Sequence, residues 1–228
     1  MPVVKKALEK GTVIIAKGTT NTYVAEEILG RKIEKGAYVL GRVYPAKGGK
    51  RLNPDIAAIP EFVLKNGKLV EGSSLADAVK QLKAGDVVIK GANALDYKNK
   101  TAGVMIGSST GGTTGTLMPY VVARKAHLVI PVGLEKLVAG NVVDMTNMMR
   151  EPMESLHNLP SMFLLTGEIV TEIEALKILT DVSAFQVAAG GIGGAEGAVW
   201  LVLRGTAEAV KKALELVQSI QGEPPFVE

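Results

Sequence analysis

Residues 86–115 read DVVIKGANALDYKNKTAGVMIGSSTGGTTG. Two short apolar runs, Val87-Val88-Ile89 and Gly103-Val104-Met105-Ile106, each give way to a loop rich in glycine, amide or hydroxyl groups. The second loop opens into a predicted helix over residues 116–125. Uninterrupted apolar runs of this length suit strands buried on both faces of a parallel sheet. A polar loop leading into a helix offers unpaired backbone N–H groups to an anion. The stretch therefore predicts an α/β fold with a small-molecule site at its strand ends.

Working outward, the same unit recurs upstream. Residues 12–16, TVIIA, form a β-branched run, and residues 17–22, KGTTNT, a polar turn. Tyr23, Val24, Ile28 and Leu29 then recur at helical spacing up to Gly30. Thr20 or Asn21 can cap this helix or help hold an anion, because both roles use the same orphan N–H groups. Residues 36–43 read as a strand and residues 47–51, KGGKR, as a solvated basic loop within reach of a phosphate. Asn66-Gly67 between FVLK (62–65) and KLVE (68–71) predicts a hairpin on the sheet edge. Ser74-Leu75-Ala76-Asp77 is a helix start, with Leu75, Val79 and Leu82 on one face. Downstream, residues 127–132, HLVIPV, form another buried strand.

Strands alternating with helices at this spacing imply an open, mostly parallel, Rossmann-like α/β sheet flanked by helices. It is expected over residues 1–140, with a β-hairpin inserted near 36–71. Residues 141–161 form a methionine-rich connection. Met145, Met148, Met149, Met153 and the following Met162 read as gap-filling core, or else as a lid or partner surface. Residues 162–228 have the β-α-β-β-α-β order of a ferredoxin-like α+β unit. Its strands are expected at 163–170, 184–189, 198–203 and Phe226-Val227, and its helices at 172–180 and 206–221. Ala207, Val210, Ala213, Leu214, Val217 and Ile220 share one face of the last helix.

The composition narrows the function classes. The 228 residues suffice for one substantial domain with or without a small second one. The absence of cysteine excludes disulfides, thiolate catalysis and cysteine-ligated metals, and fits a reducing compartment. His127 and His157 are too far apart for a local metal-ligand pair, so neither a metal nor a cofactor is expected. A net charge of +3 spread along the chain, with one Trp, five Tyr and four Phe, gives nucleic-acid binding no support. The opening residues have no signal-peptide core, and no window has the ~18 apolar residues of a membrane span. A soluble cytoplasmic protein is the expectation, and its Lys, Glu and Val usage would suit a thermophile.

Residues 107–114, GSSTGGTT, nearly match a phosphate-binding P-loop, but Thr113 stands where the lysine must be. A triphosphate site is therefore not expected. Thr110, Gly111, Gly112, Thr113 and Thr114 remain candidates to hold a phosphate, a carboxylate or an oxyanion, or else form a hydroxyl-capped turn. In residues 90–96, Gly91 admits a ligand to the backbone and Asn93 offers donor and acceptor. Asp96 is a candidate base and Lys90 a fixed charge, although Lys90 can equally pair with a surface acid and Asp96 cap a turn. Residues 190–197, GGIGGAEG, miss the dinucleotide spacing and read as a glycine-rich hairpin.

Three stretches resemble the superfamily of ribose-5-phosphate isomerase, glucosamine-6-phosphate deaminase and the CoA transferases. They are IIAKGTTNTYVAEEIL (14–29), VVIKGANALD (87–96) and TTGTLMPYVVARKAHLVIPVGLEKLV (113–138). The resemblance implies an anion gripped by Gly18, Thr19 and Thr20, with Asn21 beside them, a central loop of Lys90, Gly91, Asn93 and Asp96, and Lys136 in a following turn. It also implies a ferredoxin-like tail. Asn93 stands where the isomerases carry their first acid, and no acid lies between Thr101 and Leu134. The resemblance thus implies fold and ligand location more than a reaction. Three functions follow. One is a binder of a phosphorylated or carboxylated metabolite. Another is a sugar-phosphate isomerase or lyase-type enzyme, with Asp96 as base and Lys90 as electrostatic partner. The third is a structural or interaction protein. For each, a homo-oligomer, in the simplest case a dimer, is expected to bury the remaining apolar edge.

Overall fold

The computed structural model describes residues 1–41, 43–44, 47–49, 51–224 and 226. Its centre is a six-stranded mixed sheet of order β3-β2-β1-β4-β7-β9. The strands β1 (Thr12–Ile15), β4 (Val87–Ile89), β7 (His127–Pro131) and β9 (Glu168–Val170) run parallel. The hairpin β2 (Phe62–Lys65) and β3 (Lys68–Leu69) adds antiparallel strands at one edge. The Asn66-Gly67 turn forms where expected.

Helices cover both faces. Along β1, β4 and β7 successive side chains point to opposite faces. Val13, Ile15, Val87, Ile89 and Val129 pack with Ala7 of α1 (Pro2–Lys10) and Ala25 of α2 (Thr19–Leu29). Ile14, Ala16, Val88, Leu128 and Ile130 pack with α3 (Leu75–Lys80) and α4 (Gly112–Arg124) through Ala78, Val79, Leu117 and Val121. The fold is thus α/β with a mixed sheet of mostly parallel strands flanked by helices. Ser74 caps α3 by accepting from Asp77 N at 3.1 Å, as its sequence predicts.

Several elements depart from the sequence reading. Helix α1 was not expected. Among the described residues 36–43 form no strand: Gly36 and Gly41 take positive φ of 100° and 69°, which interrupts an extended run. Between them Tyr38 is fully buried as a plug. Its hydroxyl donates to the Ile15 carbonyl and accepts from Phe62 N at 3.0 Å, bridging β1 and β2. Lys50 of the basic loop and Val227 of the expected closing strand lie outside the described residues.

The strand read at residues 103–106 is longer and joins a different sheet. As β6 (Thr101–Ile106) it pairs antiparallel with β5 (Ala94–Asp96), a segment whose sequence predicts loop, and with β8 (Ser161–Thr166). The run read as one strand over 163–170 is in fact β8 and β9, in two sheets. The break falls at Gly167, where a Cβ would lie 2.6 Å from the Leu128 carbonyl oxygen, so the chain crosses β7 too closely for a side chain. Helix α4 begins four residues earlier than predicted.

Beyond a 3-10 turn (Leu134–Lys136) and α5 (Val142–Met148), the chain ends in α6 (Glu172–Thr180), β10 (Ser183–Ala189), β11 (Val199–Arg204) and α7 (Ala207–Ile220). Among the described residues β10 and β11 pair only with each other, and Leu176, Val182, Ala184 and Ala213 form a small core under α6 and α7. The C-terminal strands therefore lie in three sheets rather than one. The methionine-rich connection is not simply core: Met148 and Met153 are half exposed, and residues 151–159 are exposed throughout. Among the described residues no helix is long and apolar enough to cross a membrane.

Candidate functional site

β1 continues into α2 on one face of the sheet, whereas the connection from β4 reaches α4 on the other. Adjacent parallel strands whose connections part in this way leave a crevice at their C-terminal ends, the usual ligand position in open α/β sheets. Residues 16–18 and 90–91 follow these two strands.

Asn21, in the first turn of α2, is fully buried across this crevice. Its Nδ2 donates to the carbonyls of Ala16 at 2.7 Å and Ile89 at 3.3 Å. Both partners are acceptors, which fixes the amide orientation. Its Oδ1 is buried without a partner among the described residues, on the side of Gly91. Asn21 thus clamps the ends of β1 and β4.

Lys90 is only 8% exposed. Its backbone N–H extends the ladder to Val129 O at 3.0 Å, so strand alternation carries its side chain to the face of α3 and α4. Nζ donates to the Gly91 carbonyl at 3.0 Å, and among the described residues it has no ion-pair partner. Burial lowers its pKa from 10.5 to about 8. Lys17, half-buried at the end of β1, is likewise without an ion-pair partner among the described residues.

Two helices open at this edge, and neither has a side-chain cap. By contrast, α3, α5, α6 and α7 are capped by Ser74, Asn141, Thr171 and Thr206. At α2 the Gly18 N–H is taken by the Tyr38 carbonyl at 3.0 Å, while Thr19 and Thr20 stand exposed in the first turn. Helix α4 leads into β7, so its N-terminus faces the strands' C-terminal edge. Thr113 Oγ1 donates there to Glu61 Oε1 at 3.0 Å. Gly111 is the N-cap, Gly112 and Thr113 lie in the first turn, Thr114 is buried, and Thr110 shares a 3.1 Å hydroxyl contact with Ser108.

The structure therefore gathers Gly18, Asn21 and Gly91 at the C-terminal ends of β1 and β4, with Thr19 and Thr20 exposed in the first turn of α2 on one face of the sheet and the Lys90 side chain on the other. Residues 110–114 stand on the same edge of the sheet. Three predicted residues do other work. Asn93 extends the β5–β6 pairing, its Oδ1 accepting from Met105 N at 3.0 Å and its N–H donating to Gly103 O at 2.8 Å. Asp96 lies three residues further along β5, about 10 Å by strand rise. Its carboxylate accepts from Asn99 Nδ2 at 2.8 Å and Asn99 N at 3.0 Å, which closes the hairpin and lowers its pKa. That environment suits a turn acceptor better than a base. Lys136 is partly exposed, with its Nζ 3.7 Å from Glu135.

Glu61, Tyr38 and Glu172 escaped the sequence reading. Glu61 meets Thr113 across 52 positions, a distance no local pattern covers. Burial raises the pKa of Glu172, whose Oε2 accepts from Leu134 N at 3.0 Å. Among the described residues no cluster of His, Cys, Asp or Glu could hold a metal. Cavities of about 350 and 310 Å³ open elsewhere, at the opposite edge of the sheet. The basic rim of the smaller one includes Lys10, Lys80 and Arg124 at the C-terminal turns of α1, α3 and α4, where helix dipoles favour cations. Compared with known proteins, the chain matches no family model, no curated protein and no solved structure.

Proposed function

We propose that the crevice between β1 and β4 binds a small phosphorylated or carboxylated metabolite. The observation that carries this reading is Lys90, buried without a carboxylate at an edge where two helices begin uncapped. A buried ammonium costs several kcal/mol unless it is paired, and an anionic ligand would supply the missing partner. Lys17 and the first-turn N–H groups of α2 would add to the attraction. The arrangement supports a Rossmann-like core similar to the sugar-phosphate isomerases, and the α6-β10-β11-α7 segment keeps the central order of a ferredoxin-like unit. An isomerase or lyase role with Asp96 as base is the weaker variant, because that carboxylate is engaged in its own turn. The lack of cysteine favours a cytoplasmic setting.

The test is a thermal-shift screen of sugar phosphates, small carboxylates, nucleotides and CoA esters, run on the wild type and on Lys90→Met. A ligand at about 100 times its Kd stabilises by roughly 2.7 kcal/mol. The reading expects one anionic class to stabilise the wild type and to lose that effect in the variant. Equal stabilisation of both proteins would remove Lys90 from the site.

A second reading, an interaction role, draws on β10 and β11. Phe185, Val187, Trp200 and Val202 point away from the small core and are 50–61% exposed. An apolar sheet face of this kind favours association, in the simplest case with a second copy of the chain.

A further inference from the structure

We propose that Lys90 is a carbonyl-reactive amine that forms an imine with an anionic aldehyde or ketone bound in the crevice. This inference rests on the anion-site reading above and names the chemical class of its ligand. Nζ has one hydrogen-bond acceptor, the Gly91 carbonyl, and no carboxylate among the described residues. With one carbonyl as acceptor, a neutral amine keeps one N–H unsatisfied and its lone pair free, whereas an ammonium would keep two N–H groups and a full charge unsatisfied in a buried setting. Glu61, which accepts from Thr113 Oγ1 at the start of α4, is a carboxylate on this edge but not a hydrogen-bond partner of Nζ. Lys17, two residues beyond β1, has no ion-pair partner among the described residues, and two helix N-termini face this edge. Desolvation is a condition that turns lysine into a nucleophile, and the pKa lowered by burial to about 8 agrees with it. Protonated Lys90 pairs with the arriving anion, Lys17 and the helix N–H groups add to its hold, and the neutral form of Lys90 then meets the carbonyl.

The step balances without an oxidant or reductant. The Nζ lone pair attacks the carbonyl carbon, a C–N bond forms, and the carbonyl electrons move to oxygen, which takes a proton. The carbinolamine then loses a nitrogen proton to solvent, and its hydroxyl leaves as water after a further protonation. Amine, carbonyl compound and one proton thus yield a protonated imine and water. That cation withdraws electrons from the adjacent carbon and opens the way to an enamine.

The test uses the full chain with glyceraldehyde 3-phosphate as probe, followed by sodium borohydride, intact-mass measurement and peptide mapping. Borohydride reduces an imine to a stable secondary amine. The proposal expects one adduct at Lys90, formed on the order of tenfold or more faster than at exposed lysines at pH 7. It expects slowing by glycerol 3-phosphate and no preferred adduct in Lys90→Arg. Labelling spread over surface lysines without preference for Lys90 overturns the imine. The anion site stands in that case if glycerol 3-phosphate still stabilises the wild type and not Lys90→Met. Rapid trapping at Lys90 by unphosphorylated glyceraldehyde, with no effect of glycerol 3-phosphate, keeps the imine and overturns the anion site. Neither trapping nor stabilisation overturns both.

Discussion

The hydroxyl of Thr113 donates to the carboxylate of Glu61 at 3.0 Å, which fastens the first turn of α4 to the residue preceding β2. Phe62, the next residue, pairs with Ile15, so the bond holds a helix N-terminus at the C-terminal edge of β1. It also places a negative charge beside the proposed anion site.

Glu61→Gln keeps an acceptor for Thr113 and removes that charge. Binding of glycerol 3-phosphate is predicted to tighten by a few-fold at low salt, with the gain shrinking as ionic strength rises. Isothermal titration at two salt concentrations measures this. Weaker binding by the Gln variant at both would contradict the placement of the site.

Lys90→Met is predicted to stabilise the ligand-free protein. Lowering a lysine from 10.5 to about 8 corresponds to about 3 kcal/mol of folded-state penalty. Between these two pH values the unfolded chain binds the extra proton, so wild-type stability rises with pH across that window. The advantage of the variant is full below pH 8 and fades towards pH 10.5. Urea titrations at pH 7 and pH 10 measure the difference, and a variant less stable than wild type at pH 7 would refute the unpaired charge.

Tyr38→Phe removes the group that bridges the Ile15 carbonyl and the Phe62 N–H. Each buried backbone group left unsatisfied costs about 1–3 kcal/mol. A loss in that range is expected in chemical denaturation, with faster hydrogen exchange at Phe62. Unchanged exchange there would mean that the hydroxyl does not join the strands.

Trp200 is 60% exposed on the outer face of β11 and donates from Nε1 to the Gly190 carbonyl at 3.0 Å. If this face joins two copies, Trp200→Glu turns the oligomer into a monomer, because a charge cannot be buried there unpaired. Light scattering decides it. A wild type that is already monomeric at high concentration removes the interface.

Much of the architecture was legible because it is local. The buried runs of β1, β4 and β7 announce strands, Asn66-Gly67 announces its hairpin, and Ser74 sits as the cap where α3 begins. Local patterning could not say which sheet a strand joins. β6 reads as a strand like β4, yet it pairs with β5 and β8, because the Asp96–Asn99 turn folds the chain back at once.

By itself the sequence determined the alternating strands and helices, the hairpin at the edge and the polar loops at the strand ends, since each depends on residues within one turn or one pleat of each other. Only the tertiary structure decided that Asn21 clamps two strands, that Asp96 belongs to a turn and that Lys90 is buried without a counter-charge. The physical reason is that burial and the lack of a partner are set by what surrounds a group in space. For Lys90 those surroundings come from segments far apart along the chain.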